Sequence, residues 1–238
     1  MKFKISLYCA VFSSSIFSVQ QDISSLPFMS QLGQDKYVLE NFFKKPDGTF
    51  IDDGFFIEIG AYDGRIFSNT FVLEKLGWKG ICIEPVPKMF EQLVENRTCI
   101  CIKGCISDKE GKVLFRQVCD HEVFSGIVEK YDPQHITGLN TNYSFAHSEY
   151  YEVECFTLSR IIRDYAIKKI DFLSIDTEGG ELDILTSLST EELELIDIIC
   201  VEDNYNNPKF IEFLESKNFQ FIVRIKQDII FRNKKYMQ

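Results

Sequence analysis

The chain has 238 residues, of which 45% are hydrophobic, and carries a formal net charge of −10. That length suits one α/β domain able to bury a real core, and neither internal repeats nor low-complexity segments interrupt it. The acidic balance lacks the basic footprint of nonspecific nucleic-acid binding; the late cations Arg224, Lys226, Arg232, Lys234 and Lys235 read as a solvated tail.

Lys2 and Lys4 precede an apolar stretch, Ile5 to Val19, diluted by serines. It is too short for a comfortable membrane span and resembles the core of a signal peptide. Residues 1–20 are therefore read as a signal peptide or N-terminal anchor of a secreted, periplasmic or lumenal protein. A segment packed on the domain of a cytoplasmic protein is the alternative. Residues 26–238 read as a single domain. Within it, Leu26 to Phe43 holds a helix that Ser30 can cap, with Leu32, Val38, Leu39, Phe42 and Phe43 as its apolar stripe. Pro46-Asp47-Gly48 then turns the chain.

Phe55 to Ile59 is a short, apolar, β-branched run that suits the central strand of a parallel sheet. It leads into Gly60-Ala61-Tyr62-Asp63-Gly64, with Glu58 at its end. Ligands of open α/β sheets bind at that end of the strands. A second apolar strand, Trp78 to Ile83, ends in Glu84-Pro85, about twenty residues past Gly64, the spacing at which an acid accepts from ribose hydroxyls. The turn lacks G-x-G-x-x-G and carries acids where a pyrophosphate would want none. A cationic nucleoside without phosphates, such as S-adenosylmethionine (SAM), fits better than a dinucleotide.

A helix from about Asn69 to Leu76 follows, capped by Ser68, Asn69 or Thr70 and stopped by Gly77. Pro87 starts the next, carrying Met89, Phe90, Leu93 and Val94. The eight cysteines do not settle the redox compartment, since Cys9 would leave with a signal peptide. Cys82 and Cys200 read as buried thiols. Cys99, Cys101 and Cys105 read as core or edge-strand thiols, because strand spacing and the lack of a nearby histidine disfavour a metal. Their strand ends at Ser107-Asp108.

From Asp120 to Tyr151 the periodicity fades. The segment reads as a long loop with Ser125, Gly126, Tyr143, Phe145, Tyr150 and Tyr151 on a substrate-side surface. His121, His135 and His147 lack the spacing of a metal site and read as solvated. Strand periodicity returns at Val153 to Phe156, followed by a helix from Thr157. Ile170 to Ile175 is a buried strand ending at Asp176-Thr177-Glu178-Gly179-Gly180-Glu181. Ile196 to Val201 ends at Glu202-Asp203-Asn204. A helix from Asn207-Pro208 and strands near Phe219–Ile225 and Ile229–Arg232 close the chain.

Taken together, Ser30-Gln31-Leu32-Gly33-Gln34-Asp35, Gly60-Ala-Tyr-Asp-Gly64, Ser68-Asn69-Thr70, Leu73-Glu74-Lys-Leu-Gly-Trp78, Ile83-Glu84-Pro85, Asp176-Thr-Glu178-Gly179 and Val201-Glu202-Asp-Asn204 resemble the FkbM-type SAM-dependent methyltransferases. The likeness spans roughly residues 30 to 225. It implies a Rossmann-like class I methyltransferase fold: a mostly parallel seven-stranded sheet in the order 3-2-1-4-5-7-6, helices on both faces and a final antiparallel strand pair. It also places Gln34, beside Gln31 and Asp35, near the cofactor, and puts Ser107-Asp108 against the adenine. The residues expected around SAM are then Gln34, Glu58, Gly60, Ala61, Asp63, Gly64, Asn69, Glu84, Pro85, Ser107, Asp108 and Asp176. Glu84 would hold the ribose, while Glu58 or Asp63 would balance the sulfonium. Asp176, Glu178 and Glu202 are the candidates for base or substrate contact.

Methyl transfer needs in-line alignment and management of the nucleophile's proton. A Mg²⁺ ion between Asp176 and Glu202 or Asp203-Asn204 could lower a hydroxyl's pKa, but a metal-independent reading is preferred. The expected acceptor is a sugar hydroxyl or other small polar group on a small molecule or glycan, with neither nucleic acid nor a membrane span involved. A nicotinamide-dependent oxidoreductase and a non-catalytic exported binding protein are the competing readings, which fold alone does not separate.

Overall fold

A computed structural model describes residues 23–119, 121–131 and 147–237. The N-terminal apolar stretch with Cys9, and His135, Tyr143 and Phe145, lie outside the described residues. The apolar runs form the centre of a seven-stranded sheet: β1 (Phe55–Ile59), β2 (Lys79–Glu84), β3 (Ile100–Lys103), β8 (Ile170–Ile175) and β9 (Ile196–Glu202) are parallel. At one edge β11 (Asp228–Asn233) and β10 (Phe219–Ile225) run antiparallel, so the sheet is mixed. Its order is 3-2-1-8-9-11-10. Counted within this sheet alone that is the expected 3-2-1-4-5-7-6; the chain numbering differs because, among the described residues, four strands are laid down elsewhere between β3 and β8.

Helices cover both faces. α4 (Leu158–Asp164), α5 (Glu181–Ser187), the short α6 (Thr190–Leu193) and α7 (Pro208–Ser216) pack on Ile57, Ile59, Leu173, Ile175 and Ile199. α1 (Gln34–Phe42), α2 (Phe71–Lys75) and α3 (Pro87–Asn96) lie on the face of Phe56, Cys82, Phe172, Ile198 and Cys200. Strands covered on both sides must be apolar throughout, which is why they are readable as runs. Cys82 and Cys200 are buried, whereas Cys99 and Cys101, at the β3 edge, are only half-buried. Among the described residues no helix is long and apolar enough to cross a membrane.

Helix α1 starts differently from its expected Ser30 cap. Gly33, in the left-handed region at φ 86°, is the cap residue. The Ser30 hydroxyl still accepts from the Gly33 and Asp35 amides at 3.0 and 3.4 Å while donating to Asp35 at 2.5 Å, and Asp35 accepts from the backbone of Met29 and Ser30. The carboxylate thus folds the entry segment back onto the first helical turn.

The unanticipated part is a second sheet of β4 (Cys105–Ile106), β5 (Gly111–Val118), β6 (Gly126–Ile127) and β7 (Ser148–Phe156), in the order β4-β7-β5-β6. The expected loop up to Tyr151 is therefore partly strand: β5 and β7 pair antiparallel from Gly111↔Cys155 to Val118↔Ser148. This sheet is fastened over the strand tips. Lys130 reaches Asp108 after β4 and Asp183 on α5, at 2.6 Å each. Nearby, a Cβ on Gly179 would lie 2.4 Å from the Lys130 carbonyl, so the β8–α5 turn fits beneath this segment only without a side chain.

Candidate active site

The register aligns the ends of β1, β2 and β8, with Ile59 opposite both Ile83 and Ile175. Above these tips and beneath the second sheet lies a cavity of about 520 Å³, within the range of small-molecule sites. Gly60 turns the chain at its base with φ 81°, and a Cβ there would sit 1.8 Å from the Asp176 carbonyl. Gly60 and Ala61 both donate to the Ile83 carbonyl at 3.0 Å, which presses the turn onto the β2 tip.

The wall holds Gln34, Glu58, Gly60, Ala61, Asn69, Glu84, Pro85, Asp176, Glu178 and Glu202 from the expected set. It omits Asp63, Gly64, Ser107 and Asp108. Asp63 accepts from the backbone of Arg65 and Ile66 at 2.8 and 2.7 Å, closing its own turn. Gly64 makes room for Leu93 and Arg97, not for a ligand. Asp108 is held by Lys130, which keeps its carboxyl below the usual range. The wall at that point consists of Gly104, Cys105 and Ile106 instead. The second sheet adds Phe115 and Ile127, and its β5–β6 connection adds Glu122, Val123, Phe124 and Ser125; of these only Ser125 was legible in the sequence. Tyr150 points outward, 58% exposed, and the Tyr151 hydroxyl binds Gln117; neither lines the cavity.

Glu58 lines the cavity, but its oxygens are already engaged. They accept from the Ser68 hydroxyl, the Asn69 backbone, the Thr70 hydroxyl and Arg97. Arg97, 5% exposed, bridges Glu58 and Glu74 and also donates to Gly64, Ser68 and Thr70. The Glu58–Arg97 pair is thus a buried hub that fixes residues 68–70 against the cavity. Sequence reasoning missed Arg97, since an arginine just after a helix carries no local sign of a partner 39 residues away. Asn69, presented by this hub, donates to Ser174 at 2.9 Å. Its buried Oδ1 has no hydrogen-bond partner among the described residues.

Glu84 keeps one oxygen on the Tyr62 amide at 2.9 Å and the other on the Val86 amide at 2.8 Å. Each oxygen has two lone pairs, so each retains one acceptor site. Burial pushes this carboxyl up to about 8 despite the two amides. Across the floor, carboxylate oxygens of Asp176, Glu178 and Glu202 lie within 4.8 Å of one another. Asp176 is open to the cavity yet ringed by protein. Loss of bulk water, with the charges of Asp228 and Glu181, pushes it up to about 7, while a hydrogen bond from Glu202 opposes the rise. Burial, then Asp176, raises both Glu178 and Glu202. Asp203, a candidate for the Mg²⁺ variant, is turned away: it accepts from the Asn207 amide and pairs with Arg224 at 2.5 Å.

Seven acidic residues line the cavity (Glu58, Glu84, Glu122, Asp176, Glu178, Glu202 and Asp228), and among the described residues no lysine, arginine or histidine does. Such a wall offers a pyrophosphate no countercharge, whereas a cationic ligand would draw its raised carboxyls into the charged form. A glycine turn after the first strand, an acid at the second tip and a cavity over the carboxyl ends define an α/β fold of the methyltransferase type. The chain belongs to the FkbM methyltransferase domain family, whose model matches residues 58–227.

The structure of the methyltransferase FkbM from Methylobacillus flagellatus KT is similar in fold, with a TM-score of 0.50 at 11% identity over 88% of this chain. The chain spans about half of that protein, 49% of its length. A TehB-like SAM-dependent methyltransferase from Corynebacterium glutamicum matches with a TM-score of 0.41 and 10% identity over 86% of this chain and 89% of its own. M. capricolum TrmK, in complex with S-adenosylhomocysteine (SAH), matches with a TM-score of 0.40 and 13% identity over 84% of this chain and 67% of its own. A search of curated proteins found no match.

Proposed function

We propose that the protein is a SAM-dependent methyltransferase that methylates a hydroxyl of a sugar or other small polar acceptor. The observation that carries this reading is the cavity lined by seven acidic residues and by no cation among the described residues, at the end of the sheet where α/β folds bind nucleosides. The bound cofactor supplies an activated methyl group on a sulfonium.

The residues present fit that cofactor. Glu84 has two unused acceptor sites for ribose hydroxyls, and the unpartnered Asn69 Oδ1 suits an ammonium donor. Val86, Ile106, Phe115 and Ile127 form an apolar wall for a purine. Gln34 is tied to Asp228 and, through its carbonyl, to the Leu32 amide. It therefore shapes the wall more than it offers free groups.

Asp176 is the residue best suited to take a proton from an acceptor hydroxyl, because a carboxylate poised near neutrality is an effective base. Glu202, which donates to it, holds the group in place, and Glu178 faces the same space. Phe67, Ile66 and Tyr205 are partly exposed on the wall and offer apolar surface to a sugar ring. Methyl transfer from isotopically labelled SAM to a panel of sugars, phenols and peptides tests the proposal. Label is expected on a neutral polyol; label on peptide alone would contradict the acceptor class.

A further inference from the structure

We propose that Cys119, His147 and Glu149 form a binding site for a borderline divalent transition metal of the zinc type, at the open end of the second sheet. The pairing of β5 with β7 creates it. The ladder runs to Val118↔Ser148 and continues one step further, where the Cys119 amide donates to the His147 carbonyl at 2.8 Å. Cys119 and His147 are thereby directly opposite, with side chains on one face of the sheet. Directly opposed residues have Cβ atoms about 4.5–5.5 Å apart. Glu149, two residues along the same strand, shares that face. Its own cross-strand neighbour, Gln117, is engaged by the Tyr151 hydroxyl at 2.8 Å, which leaves Glu149 next to the Cys119–His147 pair.

The ligand atoms of the three residues lie within 4.8 Å of one another. Zinc takes thiolate at about 2.3 Å, imidazole nitrogen at about 2.0–2.1 Å and carboxylate oxygen at about 2.0–2.2 Å, so small side-chain rotations bring all three onto one ion. A sulfur, a nitrogen and an oxygen donor suit zinc or cobalt and not the hard, oxygen-seeking Mg²⁺ or Ca²⁺. His147 and Glu149 are exposed and Cys119 is half-buried, so a fourth position faces solvent and takes a water.

Histidine spacing along the chain could not reveal this site, because strand register supplies the proximity. The site is separate from the acid floor. Phe115, on the same face of β5, lines the cavity, and Cys119 lies four residues further, about 13 Å along the strand. Immediately after the metal site the chain enters residues 122–125, which form part of the cavity wall. The ion would therefore pin the strand end from which that wall departs.

Titration of the reduced, metal-stripped full chain with Co²⁺, then Zn²⁺, tests the assignment. One equivalent of Co²⁺ is expected to give a sulfur-to-cobalt charge-transfer band that Zn²⁺ displaces. Cys119→Ser should lose the band, and His147→Ala and Glu149→Gln should each weaken Zn²⁺ affinity at least tenfold. Zn²⁺ should raise the melting temperature of the wild type and not that of Cys119→Ser. Because the three side chains are exposed or half-buried, the variants should melt like the wild type without metal. Absence of stoichiometric binding would overturn the proposal. So would a band that survives Cys119→Ser, which would place the metal on other thiols, or binding indifferent to both His147 and Glu149.

Discussion

Replacing Arg97 by methionine tests whether the cavity stands on the buried hub. The side chain of Arg97 is fully buried, and those of Glu58 and Glu74 are 4% and 5% exposed. The substitution keeps much of the apolar stem but removes every donor, leaving two carboxylates without their countercharge. Breaking a buried pair in this way costs about 3–5 kcal/mol. At about 2–4 °C per kcal/mol for a domain of this size, the melting temperature should fall by roughly 6–20 °C.

The cost should also depend on pH. Burial alone would raise Glu74, but Arg97 and Thr98 outweigh it and hold the carboxyl at about 2. A lowered folded pKa gives stability that is present above the unfolded value near 4.5 and is lost as pH falls toward 2. The deficit of Arg97→Met should therefore shrink over that acid window. Loss of hub geometry should also weaken SAM binding, since residues 68–70 present Asn69. Melting curves of both proteins at pH 7 and pH 4, with SAM titration, read all three effects. A deficit below about 1 kcal/mol at pH 7, the size typical of a surface pair, would refute the buried-hub argument.

Glu84→Gln exchanges an oxygen that holds a backbone amide for a donor, at a cost of about 1–3 kcal/mol for the unsatisfied group. SAM affinity should fall tenfold or more with the fold retained by circular dichroism; unchanged affinity would leave Glu84 as a turn residue only. Asp176→Asn should lower turnover by about 10²–10⁴-fold if the carboxylate is the base. Added Mg²⁺ should not change the rate of metal-free protein, whereas activation by Mg²⁺ would make the floor a metal site. Glu84 and Asp176, raised to about 8 and about 7, stabilise the unliganded fold below their ordinary values near 4, and that contribution disappears as pH rises through 7–8. The affinity of cationic SAM relative to the uncharged sulfur of SAH should accordingly grow between pH 6 and 9; a flat ratio in calorimetry would contradict the acidic-cavity argument.

The central strands were legible because Phe55–Ile59, Lys79–Glu84, Ile170–Ile175 and Ile196–Glu202 are enclosed by helices and can carry little that is polar. Their acidic tips were legible for the same reason, as breaks in an apolar run. The second sheet was not, because its outward face keeps apolar residues in view. Leu114 is 51% exposed and Tyr150 58%, which blurs the alternation that marks a half-buried strand. Nor does a tip acid announce how its oxygens are spent. Asp63 closes its own turn, Glu58 serves Arg97, and Glu84 binds two backbone amides with one lone pair to spare on each oxygen, although all three lie in or just past the ends of apolar strands. Ser107-Asp108 missed the wall by the length of one short strand, because Gly104 to Ile106 run along the cavity before the chain turns toward Lys130.

Parallel calorimetric titrations with SAM, SAH and NAD⁺ test the central claim most directly. The acid-lined cavity predicts one SAM or SAH site per chain and no measurable NAD⁺ binding. Tight NAD⁺ binding without SAM binding would contradict it.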